Sequence, residues 1–133
     1  MIEIAKIELS SKLDNVKKIE TLIDNIKNNY QLRDSVYGNV MIACIEAVTN
    51  AIEHGNNLDC KKKVNFSAFI NQKSIKICVK DEGDGFNIDE LDDPTLPENK
   101  LDPDGRGVYI MKNLADDIVF ENKGACVNMY FNI

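Results

Sequence analysis

Glu46 and Asn50 stand four residues apart in "EAVTNAIEHGNN", a run that also carries Ala47, Val48, Ala51 and Ile52. On a helix that spacing puts a carboxylate and a carboxamide on one side, about 6 Å apart along the axis. A carboxamide oxygen suits a hard cation, and a carboxylate can accept a proton or orient water. A solvated polar helix face explains the same spacing, so these residues alone leave both readings open. His54 either lies near such a site and tunes Glu46 or simply finishes the helix, and a structural role or one supporting the site is expected. Glu53 is expected at the surface or as a supporting contact.

Two glycine-bearing segments add to the pattern. In "DEGDGF", Asp81 ends a strand-like run, and Gly83 and Gly85 permit a turn that residues with a Cβ resist. A carboxylate there can accept a base-edge amine beside a flat pocket; an acidic turn or a calcium loop are the alternatives, although the spacing does not match the helix-loop-helix calcium motif. In "DGRGVYIM", Gly105 and Gly107 are expected just before a helix, leaving its first amides approachable by phosphate, with Arg106 adding a fixed positive charge and Lys100 a second candidate phosphate partner. Neither a GxxxxGK[ST] loop nor a dinucleotide fingerprint in a βαβ setting is present.

The elements that must position these groups follow from periodicity. Residues 2 to 9 alternate as a strand. Leu13, Val16, Ile19, Leu22, Ile23 and Ile26 form the apolar stripe of a first helix. A second helix is predicted from Asp34 or Ser35, either of which is a good cap, to Gly55. "KKKVNFSAFI" and "KSIKICVK" read as strands turning at residues 71–73, and "DIVFENKGACVNMYFNI" as a hairpin turning at residues 122–124. The order strand, helix, helix, strand, strand, loop, helix, strand, strand predicts an α+β two-layer sandwich, with helices on one face of a mixed, largely antiparallel sheet. With 133 residues and no linker or repeat, the chain reads as one domain over residues 1–133, and the proline-bearing stretch 87–104 is its candidate lid.

Composition sets outer bounds. Sixteen Lys and Arg against 22 Asp and Glu give a net charge of −6, which argues against direct nucleic-acid binding. Charged residues interrupt the N-terminal run, so no secretory leader is expected, nor a membrane span of about 20 apolar residues. The cytoplasm is the default compartment. Four cysteines without a CxxC pair read as buried thiols, with a zinc site or redox centre as the alternative.

Together, "EAVTNAIEHG", "DEGDGF" and "GRG" resemble the N-box and the two glycine boxes of the histidine-kinase-like (GHKL) ATP-binding superfamily, whose fold is the Bergerat type. Within it the chain looks most like stand-alone bacterial anti-sigma-factor serine/threonine kinases. The resemblance implies ATP and Mg²⁺ as cofactors, with Asn50 as metal ligand and Glu46 as general base. It also implies Asp81 at the adenine amino group, Gly83 and Gly85 shaping that end of the pocket, and Gly105, Arg106 and Gly107 around the phosphates. It further implies a STAS-type antagonist as phosphate acceptor, a sigma factor as possible second partner, and a homodimer. Alternatives are a non-catalytic nucleotide-dependent switch and an ATPase transferring to water. One departure stands out: many relatives carry a hydroxyl residue after the glycine of the penultimate turn, where this chain has Ala125 and Cys126.

Overall fold

The structure is a computed structural model that describes residues 1–83 and 103–133. The chain opens with β1 (Ile2–Ser10), a 3-10 turn (Leu13–Asn15) and α1 (Val16–Tyr30). Then come α2 (Asp34–Asn50) with a π-helical turn (Ala51–Gly55), β2 (Lys63–Ile70), β3 (Ser74–Lys80), α3 (Pro103–Leu114), β4 (Asp117–Glu121) and β5 (Cys126–Asn132). Among the described residues five strands lie in the order β1-β2-β3-β5-β4, and each ladder between neighbours is antiparallel. The architecture is thus the expected α+β one, helices packed against an antiparallel sheet.

Alternation in the strands decides which face the helices cover. In β2 and β3, Val64, Phe66, Ala68, Ile75, Ile77 and Val79 are buried while their neighbours Asn65, Ser67, Lys76 and Cys78 are only half-buried. The period of two sends the first set to the helices and the second to the opposite face. Ile19, Ile23 and Ile26 of α1 and Val40, Ala43, Cys44 and Val48 of α2 fill the other half of the core. Lys27 and Tyr37 hold α1 against α2, Lys27 by an ion pair with Asp34 at 3.2 Å and Tyr37 by a hydrogen bond to Asp24.

Several boundaries depart from the sequence expectation. Leu13 leaves the apolar stripe and is 45% exposed, because the chain there forms a 3-10 turn that Asn15 ties back to Ser10. Neither Asp34 nor Ser35 caps α2: Arg33 occupies the capping position in an extended conformation, without a side-chain hydrogen bond. The third helix starts at Pro103, where a missing N–H costs nothing, so Gly105 and Gly107 lie inside its first turns rather than before them. The candidate lid, up to residue 102, lies outside the described residues. The turn at residues 71–73 is as expected, the Asn71 side-chain oxygen accepting from the N–H groups of Lys73 and Ser74 at 2.8 Å. Contrary to expectation, the 22-residue stretch Asp34–Gly55 is long and apolar enough to cross a membrane by length and composition. Here its apolar side packs in the core.

Candidate functional site

The second helix carries Glu46, Thr49 and Asn50 on one side, and its last turn changes pitch. The Asn56 N–H bonds to the Ala51 carbonyl five residues back, at 2.8 Å, the spacing of a π-turn. Glu53 and His54 thereby continue the same surface. With Arg106 and Gly107 of α3 they line a cleft of about 190 Å³. That is smaller than the ~300–1,000 Å³ of a whole small-molecule pocket and suits one end of a ligand. Gly107 comes so close that a Cβ on it would lie 3.3 Å from Glu46 Oε2. His54 Nε2 lies 3.6 Å from Glu53 Oε2.

Four of the residues singled out from the sequence (Glu46, Asn50, Arg106 and Gly107) therefore line one cleft. Glu53 lies there too, as a supporting contact: seven residues span nearly two full turns, which returns its side chain to the side of Glu46. Thr49 was not anticipated, since a threonine within an apolar helical run gives no signal of its own. The lining offers carboxylate and carboxamide oxygens, a donor set for a hard cation, beside a guanidinium for an anion. Among the described residues no group of three or more His, Cys, Asp and Glu could hold a metal ion. A magnesium ion bound through an amide oxygen, phosphates and water needs no such group. Gly85 and Lys100 lie outside the described residues.

Asp81 does not line this cleft; it lies against Gly55, the residue that follows His54. A Cβ on Gly55 would fall within 2.8 Å of Asp81 Oδ1, and one on Gly83 within 2.6 Å of the Gly55 carbonyl carbon. Two glycines thus let the turn after β3 press against the end of the π-turn, with the Asp81 carboxylate between them. Gly83 N–H donates to Asp81 Oδ1 at 2.8 Å. Partial burial raises the Asp81 carboxyl above its ordinary value, against the lowering effects of that bond and of Lys62.

A fully buried Asn56 braces the turn. Its oxygen accepts the Glu82 N–H at 2.8 Å, and its amide donates to Ser11 Oγ at 2.8 Å and to the Lys63 carbonyl at 3.0 Å. Where relatives are expected to place a hydroxyl, Ala125 and Cys126 are buried, and the backbone intervenes: Asp81 N–H donates to the Ala125 carbonyl at 2.8 Å.

Residues 9–131 match the family model described as "Histidine kinase-like ATPase domain". The chain belongs to the histidine kinase-like ATPase family. It is 45% identical over 89 residues to an anti-sigma F factor of Geobacillus thermodenitrificans (strain NG80-2), covering 62% of this chain and 60% of that protein. To the anti-sigma F factor of Bacillus thuringiensis (strain Al Hakam) it is 40% identical over 77 residues, covering 55% of this chain and 51% of the relative. The matches thus span about half to three fifths of those relatives' length. A crystal structure of the RsbU and RsbW domains of Rv1364c from Mycobacterium tuberculosis superposes with a TM-score of 0.65 at 14% identity, over 97% of this chain and 32% of that one, which shows a shared fold.

Proposed function

We propose that the protein is an ATP- and Mg²⁺-dependent serine/threonine protein kinase that phosphorylates a STAS-type anti-sigma-factor antagonist and also acts as an anti-sigma factor. In this reading residues 1–133 are one cytoplasmic nucleotide-binding domain, working as a homodimer and able to hold a sigma factor. The observation that carries it is the meeting of Glu46 and Asn50 with Arg106 and Gly107 around one cleft, with Asp81 held against Gly55 at the end of the same helical segment.

Each residue has a distinct task. Asp81 accepts the adenine amino group, and its turn, with Gly83 and Gly85, seats the base. Asn50 offers its side-chain oxygen to the metal. Arg106, Gly105 and Gly107, with Lys100, face the phosphates. Glu46 takes the proton from the attacking serine hydroxyl, and the glycine at position 107 leaves that carboxylate room to turn toward it. Bound Mg²⁺ supplies charge neutralisation on the phosphate oxygens. A carboxylate base of this kind contributes about 10²- to 10⁴-fold.

The test is transfer of γ-labelled phosphate to STAS-type antagonists, together with Mg²⁺/ATP calorimetry. Glu46→Gln is expected to keep nucleotide binding and to lose transfer by at least about a hundredfold; unchanged transfer refutes the role of Glu46. A second reading, a non-catalytic nucleotide-dependent switch, is favoured by the Ala125–Cys126 segment, which carries no hydroxyl where relatives are expected to support the Asp81 carboxylate. It predicts partner binding without transfer under Mg²⁺ or Mn²⁺. Release of inorganic phosphate without modified protein marks the third alternative, hydrolysis to water.

A further inference from the structure

The face of the sheet turned away from the helices carries a pair of thiols that the kinase reading does not use. Cys78 of β3 and Cys126 of β5 bring their sulfurs to 3.8 Å. They are diagonal neighbours across the ladder: Cys78 pairs directly with Asn128, and Cys126 with Lys80. Cys78 is half-buried, and Lys76 and Lys80 flank it on the same strand face. Cys126 is covered, only 6% exposed.

We propose that Cys78 and Cys126 form a peroxide-oxidised dithiol site whose closure to a disulfide weakens nucleotide binding at Asp81. This second half rests on the nucleotide-site reading above. Cys78, the less covered thiol of the pair, with lysines two residues to either side on its strand, is the one a peroxide reaches first. The Cys78 sulfur attacks the peroxide, the O–O bond breaks, and Cys78 becomes a sulfenic acid while the peroxide leaves as water or an alcohol. The Cys126 sulfur then attacks the Cys78 sulfur. The S–O bond breaks, the hydroxide leaves as water with the Cys126 proton, and the S–S bond forms. Two thiols have given two electrons to one peroxide. Burial and the neighbouring Cys78 push the Cys126 thiol up to about 11, so Cys126 is not the thiol of first attack. Proximity at 3.8 Å offsets its low thiolate content.

Closure has a mechanical consequence. The sulfurs must approach to about 2.05 Å, and relaxed disulfides keep their Cα atoms within about 4.4–6.8 Å. Diagonal neighbours stand about 7–8 Å apart, so the backbones of β3 and β5 must shift relative to each other. The next contact along this ladder is the Asp81 N–H bond to the Ala125 carbonyl, which holds the backbone under the carboxylate.

The experiment uses the full chain carrying Cys60→Ser, which removes the exposed thiol. After hydrogen peroxide, intact mass should fall by two hydrogen atoms, and a linked peptide pair containing Cys78 and Cys126 should appear and vanish with dithiothreitol. A fluorescent ATP analogue should bind on the order of tenfold more weakly to the oxidised protein (about 1.4 kcal/mol) and recover on reduction. Cys78→Ser on the same background should bind as the reduced parent does and ignore peroxide. Oxygen addition at Cys78 without linkage overturns the dithiol site, and linkage with unchanged nucleotide affinity overturns its effect on Asp81. A reduced protein that binds no nucleotide refutes the kinase reading and the regulatory half with it, while the mass result decides the dithiol independently.

Discussion

Removing the Asn56 side chain tests how the base-side turn is held. The carboxamide makes three hydrogen bonds within a fully buried site, joining the end of β1 at Ser11, the start of β2 at Lys63 and the turn at Glu82. Each contributes about 1 kcal/mol net, and a donor or acceptor stranded without water costs about 1–3 kcal/mol. Of the three partners, Ser11 keeps its own bond to the Lys62 carbonyl at 2.8 Å. The Glu82 N–H and the Lys63 carbonyl depend more heavily on Asn56. Asn56→Ala should therefore cost about 3–5 kcal/mol, a large part of the ~5–15 kcal/mol of a typical domain. Urea unfolding followed by circular dichroism reads this as a lower midpoint at constant slope. Asn56→Asp separates shape from donors: its oxygen still accepts the Glu82 N–H, but an ionised carboxylate then faces the Lys63 carbonyl and the Ser11 hydroxyl. That variant should lose stability as pH rises through the carboxyl range, because only the protonated acid can donate. A loss below about 1 kcal/mol for Asn56→Ala, or a pH-independent Asn56→Asp, refutes the bracing argument.

Three further outcomes follow from the same geometry. Asp81→Asn removes a charge-assisted acceptor worth about 1.5–3 kcal/mol, so ATP should bind about 10- to 100-fold more weakly by calorimetry. The same change should raise the melting temperature at neutral pH. The folded carboxyl is raised above its unfolded value, so its penalty is absent below the unfolded value and grows as pH rises through the folded one; the stability advantage of this substitution over the parent should shrink on acidification. Gly107→Ala places a methyl 3.3 Å from Glu46 Oε2, and turnover should fall about tenfold with KM little changed, since sub-ångström misplacement of a base affects rate before binding. Gly38→Ala meets nothing within 4 Å inside α2 and should stabilise by about 0.5–1 kcal/mol, seen as a rise of about 2–6 °C in melting temperature.

The chemistry-bearing residues were legible because their neighbours set their phase. Apolar residues around Glu46 and Asn50 fixed which side of α2 faced the core, and the alternation of β2 and β3 placed Asp81 at a strand end. What escaped was whatever periodicity does not encode. The widened turn at Ala51–Gly55 has no composition of its own, and the place of Glu53 in the cleft follows only from the seven-residue step that restores the direction of Glu46. Asn56 reads as an ordinary turn residue after glycine; only tertiary packing makes it a three-way junction. The extended Arg33 at the head of α2 likewise shows that a good capping residue need not be used where the preceding chain fixes the entry angle.

The π-turn also makes this region sensitive to chain length in a way that substitutions do not reveal. A turn closed by a bond from Asn56 to Ala51 holds one residue more than an α-turn needs. Deleting a single residue between them would let the helix run on in ordinary register. Gly55 would then be swung away from Asp81, and the glycine contact that joins the two halves of the site would open with every remaining side chain still present.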